Sequence, residues 1–138
     1  MAAEKLVKVL DSSAMIAYLR KEPGGFEVEG TITDPNTICY AHAINLCEVY
    51  YDAIRVGGPT EAEQLLKALF ALGVIERNDF DTEFWKKVGL LKAYYKASLA
   101  DFCGIVLTNR LKGTFLTADH HELDTIAETN VCLVQFIR

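Results

Sequence analysis

Long apolar runs are missing from this sequence. Nothing in its 138 residues approaches the ~20 consecutive apolar positions that a helix needs to cross a bilayer, so no membrane span is expected. Positive charge is also scarce: 14 Lys and Arg stand against 19 Asp and Glu, a net charge of −5. That balance excludes a binder that holds nucleic acid through bulk positive charge. It does not exclude a nuclease, because a metal ion can neutralise a local cluster of acids while a few lysines contact phosphates elsewhere. Cys39, Cys47, Cys103 and Cys132 form no C-x-x-C pair, which removes the usual zinc and thiol-redox motifs and leaves buried free thiols as the reading. Linkers, internal repeats and low-complexity stretches are absent too, so residues 1–138 read as a single domain. The opening "MAAEKLVKVLD" carries an acid and an apolar run broken by lysine, which is too short for a secretory signal; a cytoplasmic location is expected.

What is present is an alternation of two periodicities. "KLVKVLD" reads as a strand and "SAMIAYLRK" as a helix stopped by Pro23-Gly24-Gly25. After a weakly amphipathic piece, "TICY" returns to strand, and "AHAINLCEVYYDAIRVGG" predicts a helix with Ile44, Val49 and Ile54 buried and a glycine stop. Pro59 and Thr60-x-x-Glu63 predict a capped helix over "PTEAEQLLKALFAL". "GVIER" is the third strand. Two further helices follow, the second opened by Ser98-x-x-Asp101, and "TFLT" and "VCLVQF" flank a last helix begun by Asp119. Strands apolar throughout, alternating with helices, imply an α/β fold with a five-stranded parallel sheet covered on both faces. Ligands of such sheets bind beyond the carboxyl ends of the strands.

That rule singles out particular acids. Asp11 ends the first strand and Asp119 follows the fourth, which places both on one rim, and Asp101 in the first turn of its helix can project into the same crevice. Each has a purely structural reading as a helix cap: Asp11 before Ser12, Asp119 with Glu122, Asp101 with Ser98. Glu48 does not, since it lies mid-helix in the apolar stretch "INLCEVYY", where no orphan N–H needs it. Four carboxylates crowded at one rim would repel one another unless a hard cation lay between them, and Mg²⁺ or Mn²⁺ suits an all-oxygen set.

Three stretches, "VLDSSAMIAYL", "AINLCEVYY" and "SLADFCGIVLTNRLKGTFLTADHHEL", resemble in order and spacing the PIN-domain ribonucleases, and within them the VapC-type toxins of toxin–antitoxin pairs. The resemblance covers nearly the whole chain. It implies a three-layer α/β/α sandwich around the five-stranded sheet, and a metal-dependent endoribonuclease whose catalytic set is Asp11, Glu48, Asp101 and Asp119. Asp11 and Asp101 would hold the principal Mg²⁺ or Mn²⁺ ion; Glu48 and Asp119 would complete its shell, position the attacking water, or hold a second ion. Ser13 and Thr117 would orient carboxylates or waters, and Asn45, three residues before Glu48, shares its helix face. An RNA substrate, a cognate antitoxin and a homodimer are implied with them. One departure is His120-His121, where the family often has positively charged or small residues. Adjacent helix positions face different directions, so these histidines are expected to decorate the rim; His42 has no assigned role.

Tyr50-Tyr51 and Tyr94-Tyr95 are expected in the core rather than as base-stacking platforms. Lys86, Lys87, Lys92 and Lys96, with Arg110 and Lys112, form either a phosphate-facing stripe or a solvated face. Two rival functions remain beside the nuclease. A phospho-receiver signalling domain wants an acid pair after the first strand and a lysine after the last, where this chain has Asp11-Ser12 and Gln135-Phe136. A catalytically silent module, its acids used as caps and to dock a basic partner, is not separated from an enzyme by sequence alone.

Overall fold

The structure, a computed structural model, describes residues 4–138. Its elements are β1 (Leu6–Leu10), α1 (Ser12–Leu19), α2 (Gly25–Thr33), β2 (Thr37–His42), α3 (Ala43–Leu72), β3 (Ile75–Arg77), α4 (Thr82–Tyr94), α5 (Leu99–Arg110), β4 (Thr114–Thr117), α6 (His120–Glu128) and β5 (Val134–Phe136). All five strands are parallel, in the order β3-β2-β1-β4-β5. The chain is an α/β protein of three layers, as expected.

Strand alternation builds the two cores. Successive residues of a strand point to opposite faces, and here Val9 and Phe115 pack with Phe84, Phe102 and Leu107 of α4 and α5, while Leu10 and Leu116 pack with Met15, Val28 and Val49 of α1, α2 and α3. Helices α1 to α3 thus cover one face and α4 to α6 the other. Burial is deepest in the middle of the sheet, although β1 carries Lys8 and leaves Leu6 exposed at its start. At the edges, β3 leaves Ile75 and Glu76 exposed and β5 exposes Gln135, because an edge strand has a neighbour on one side only.

The expected glycine stop is a break inside α3. Gly58 takes φ 87° and ψ 171°, conformations closed to side-chain-bearing residues, and Pro59 restarts the helix behind it. The capping box expected at Thr60 and Glu63 is not what this carboxylate does: Glu63 Oε1 accepts from the Tyr50 hydroxyl at 2.8 Å. Ile44 also departs from expectation, being 40% exposed while Asn45 and Leu46 turn inward. Tyr51 and Tyr94 are exposed rather than core residues, with Tyr50 and Tyr95 half-buried. The cysteines are all free, three of them buried and Cys47 exposed.

Gly104 lets α5 settle onto the sheet. A Cβ there would stand 2.5 Å from Phe115 Cε1 and 3.0 Å from Asn45 Oδ1, so the absent methyl sets the distance between α5, β4 and α3. Gly104→Ala should therefore destabilise by about 1–3 kcal/mol through overpacking. Gly89→Ala, in the middle of α4 with nothing within 4 Å of the new methyl, should stabilise by about 0.5–1 kcal/mol. Urea unfolding of both variants checks this; equal effects of the same sign would contradict the packing.

Candidate functional site

The carboxyl ends of β1, β2 and β4 deliver Asp11, His42 and Thr117 to one edge of the sheet. Asp11 follows β1 directly, and its backbone N–H donates to the Leu116 carbonyl at 3.0 Å, so β1 and β4 together fix its start. Its side chain is 2% exposed. Three donors engage it: Ser13 Oγ at 2.7 Å and Ala14 N–H at 2.9 Å on Oδ1, and Thr117 Oγ1 at 2.5 Å on Oδ2. Asp11 is thereby the N-cap of α1. Ser13 and Thr117 each have one hydroxyl proton, and both protons go to Asp11. Their oxygens then accept in turn, Ser13 Oγ from the Ala118 N–H at 2.9 Å and Thr117 Oγ1 from the Asp119 N–H at 3.0 Å.

The other acids keep an oxygen in reserve. Asp101 shares a capping box with Ser98: its Oδ2 accepts from the Ser98 N–H at 3.2 Å while its own N–H donates to Ser98 Oγ at 3.0 Å. Asp119 caps α6 through Oδ1 and the Glu122 N–H at 3.3 Å. Glu48 Oε1 accepts from Asn45 Nδ2 at 3.3 Å, and the same amide donates to the Ala100 carbonyl at 3.3 Å. Asn45 thus joins Glu48 on α3 to the residue before Asp101. Asn45 Oδ1 is buried without a partner. The caps expected at Asp11, at Ser98 with Asp101, and at Asp119 are all formed, and Asp101, Asp119 and Glu48 each cap or bond through a single oxygen.

Charge at this edge is unbalanced. Burial pushes the Asp11 carboxyl up to about 6, against the hydrogen bonds from Thr117, Ser13 and Ala14, with the charge of Asp101 adding to the rise. Asp101 is raised as well, by burial first and then, after its Ser98 bonds, by the charges of Asp119 and Glu48. Among the described residues no Lys or Arg is ion-paired with any of the four. Asp79 and Asp81 present the opposite case: arginine hydrogen bonds hold both carboxyls down at about 2.

An oxygen-only donor set carrying uncompensated charge fits a hard divalent cation in kind. The carboxylates stand as neighbours rather than as a closed cage, because among the described residues no three His, Cys, Asp or Glu are grouped to hold a metal ion. The edge is open. A groove of about 500 Å³ lies elsewhere, lined by Tyr18, Leu19, Phe26 and Leu65, and includes none of the four acids.

The PIN domain family model matches residues 8–128. The chain belongs to the PIN domain family. Among solved structures it is similar to a chain of VapBC2 from Rickettsia felis bound to a DNA fragment from their promoter, at 13% identity over 95% of this chain and 98% of that one, with a TM-score of 0.75. A chain of DNA-bound VapBC from Salmonella typhimurium gives 16% identity, coverage of 96% and 99%, and a TM-score of 0.73. VapC20 of Mycobacterium tuberculosis, a sarcin-ricin loop cleaving toxin, gives 10% identity, coverage of 86% and 94%, and a TM-score of 0.68. No curated protein matches.

Residues outside the acids also find their places. His120 is exposed and fastens the chain end, with Nε2 donating to the Arg138 carbonyl and Nδ1 facing Asp124, both at 2.8 Å, and its ring stacked 4.0 Å from Phe136. The Arg138 carbonyl, followed by the Asp124 carboxylate, raises its pKa. Half of the basic stripe is committed elsewhere: Arg110 pairs with Asp79 and Asp81, Lys87 with Glu83, and Lys92 Nζ donates to the Ala97 carbonyl. Sequence reasoning left His42 without a role, although its position at the end of β2 was a signal; it is 4% exposed and caps α3.

The raised Asp11 carboxyl carries a stability consequence. Its folded value of about 6 exceeds the ordinary 3.8, so the folded state holds the proton more tightly. The resulting stabilisation is complete below pH 3.8 and lost as pH rises through about 6. In chelator, wild type should lose on the order of 3 kcal/mol relative to Asp11→Asn across that window. Urea midpoints of the two proteins from pH 4 to 8 test it; parallel curves would contradict the burial of an uncompensated charge.

Proposed function

We propose that this chain is a metal-dependent endoribonuclease, the toxin of a toxin–antitoxin pair, with Asp11, Glu48, Asp101 and Asp119 as its catalytic carboxylates. The observation that carries the reading is that Asp101 bears on Asp11, and Glu48 and Asp119 bear on Asp101, through their charges, while among the described residues no Lys or Arg is ion-paired with any of the four. Family membership and the likeness to chains of VapBC complexes support it.

Asp11 and Asp101 would hold a Mg²⁺ or Mn²⁺ ion, with Glu48 and Asp119 completing its shell or taking a second ion. Bound there, the cation would supply Lewis-acid activation of a water nucleophile and offset the charge that builds on the phosphoryl oxygens. The chain's own groups set the stage. Ser13 and Thr117 lock both oxygens of Asp11, so its orientation is decided before substrate arrives. Asn45 turns Glu48 toward the N-terminal turn of α5, where it can orient the attacking water. With Glu48, Asp101 and Asp119 only half-buried, the edge suits a polymer whose scissile phosphate lies across the carboxylates while flanking nucleotides extend beyond them.

A second reading has one observation in its favour: three of the four acids already serve as helix caps. On that reading the chain is a silent module that docks a basic partner, and the acids are structural.

RNA cleavage separates the two. Wild type should cleave RNA with Mg²⁺ or Mn²⁺ and stop in excess chelator. Asp11→Asn and Asp101→Asn should each lower kcat at least about a hundredfold, a loss of roughly 3 kcal/mol of transition-state stabilisation, with the fold intact. Cleavage persisting in chelator, or at full rate in either variant, would leave the module reading. The partner can be tested in cells. Expression of the chain alone should arrest growth, and the cognate antitoxin, presenting an arginine that forks onto the unpaired carboxylates, should relieve the arrest. Growth unaffected by the lone wild-type chain would contradict the toxin assignment.

A further inference from the structure

His42 ends β2, begins α3, and is buried without serving any step assigned above. Its ring makes two polar contacts of opposite sense. Nδ1 lies 3.1 Å from the Ile44 backbone N–H, which can only donate, and Nε2 lies 2.8 Å from the Asp79 carbonyl, which can only accept. Together they define one tautomer: Nε2 carries the proton and Nδ1 is bare. A second proton on Nδ1 would face the Ile44 N–H and cancel the cap. The ring face stacks on Phe84 at 5.4 Å and 17°, and the register sets His42 beside Arg77.

The residue that receives the Nε2 proton is itself held from several sides. Asp79 accepts from Arg77 Nε and Nη2, both at 2.8 Å, and from Arg110 Nη1 at 3.0 Å; Arg110 also grips Asp81 at 2.6 and 2.9 Å. The Arg110 guanidinium lies 5.1 Å from the centre of the Phe84 ring. Asp79 is therefore tied at its side chain by two arginines and at its carbonyl by His42. These cations sit in one cluster with the segment between β3 and α4, and His42 is the bond from that cluster to the start of α3.

We propose that His42 is a positioning residue for the acidic site: it ties the N-terminus of α3 to the Arg77–Asp79–Arg110–Asp81 cluster and so sets where Asn45 and Glu48 stand against α5. This rests on the nuclease reading for what Glu48 does. The link is short and rigid. Asn45 is the third residue of α3 and Glu48 the sixth, within two turns of the cap. Asn45 makes both of its bonds at 3.3 Å, the long end of the range, and its Oδ1 has none. A displacement of the helix start would therefore be felt at once in the bond to Glu48 and in the one to the Ala100 carbonyl.

The two ring nitrogens can be tested apart. His42→Asn offers an oxygen that caps Ile44 as well as any residue does, but is too short to reach Asp79, so it keeps the cap and cuts the tie. His42→Ala removes both. With Mn²⁺ present, His42→Asn should lower kcat for RNA cleavage about tenfold or more with KM within twofold of wild type, and should fold; a small misplacement of a catalytic group costs this much. A further fall in His42→Ala, or its failure to fold, leaves that result unchanged. Wild-type kcat in a folded His42→Asn would overturn the proposal, as would a rise in KM alone. If wild type cleaves no RNA, the nuclease reading fails by itself, and amide hydrogen exchange decides: faster exchange at Ile44 to Glu48 in His42→Asn supports the tie, and unchanged exchange there overturns it.

Discussion

The candidate site depends on one buried carboxylate. Asp11 is almost wholly removed from water, and a charge so placed is tolerated only where donors surround it. Ser13, Ala14 and Thr117 provide them, from the first turn of α1 and the last residue of β4. Those bonds do two things at once. They start α1, and they join β1 to β4 at the carboxyl edge, which is also where Asp119 leaves the sheet. The position of Asp119 follows from the same hydroxyl, because Thr117 Oγ1 accepts its N–H. What the donors do not do is cancel the charge, and the carboxyl remains well above its ordinary range.

Capping leaves accepting capacity on three of these acids because each bonds through a single oxygen. Asp101 gives Oδ2 to Ser98, Asp119 gives Oδ1 to Glu122, and Glu48 gives Oε1 to Asn45. A carboxylate has roughly four lone-pair positions, so one long bond leaves most of its accepting capacity in place. Helix N-termini are favourable places for anions, which lets the fold gather negative charge at this edge with no arginine ion-paired to it among the described residues. Elsewhere the chain does the reverse, closing Asp79 and Asp81 with Arg77 and Arg110.

Much of this was legible in the sequence, and the reasons are local. The caps at Asp11, Ser98 and Asp119 are short-range patterns, so spacing alone located α1, α5 and α6. The common rim of Asp11 and Asp119 followed from the chain order of a parallel sheet. What escaped depends on partners distant in sequence. Thr60 and Glu63 have the spacing of a capping box, yet the Tyr50 hydroxyl takes the carboxylate from across the Gly58 break. Arg110 looks like part of a basic stripe until Asp79 and Asp81 claim it. Ile44 was expected inside because helical periodicity gives a stripe without saying how far it is rotated; the His42 cap sets that rotation and turns Asn45 inward instead. The roles assigned to the four acids came from family resemblance, since the residues by themselves allowed both caps and ligands.

The most direct test of a cation among these carboxylates is the proton it displaces. Metal binding requires deprotonated ligands and so releases whatever proton they hold. Calorimetric titration of the apoprotein with Mn²⁺ at pH 6, repeated in two buffers of different ionisation enthalpy, counts those protons. With the Asp11 carboxyl at about 6, about half a proton should leave from that group, and the number should fall toward zero at pH 8. No binding, or binding whose heat is the same in both buffers at pH 6, would contradict the account.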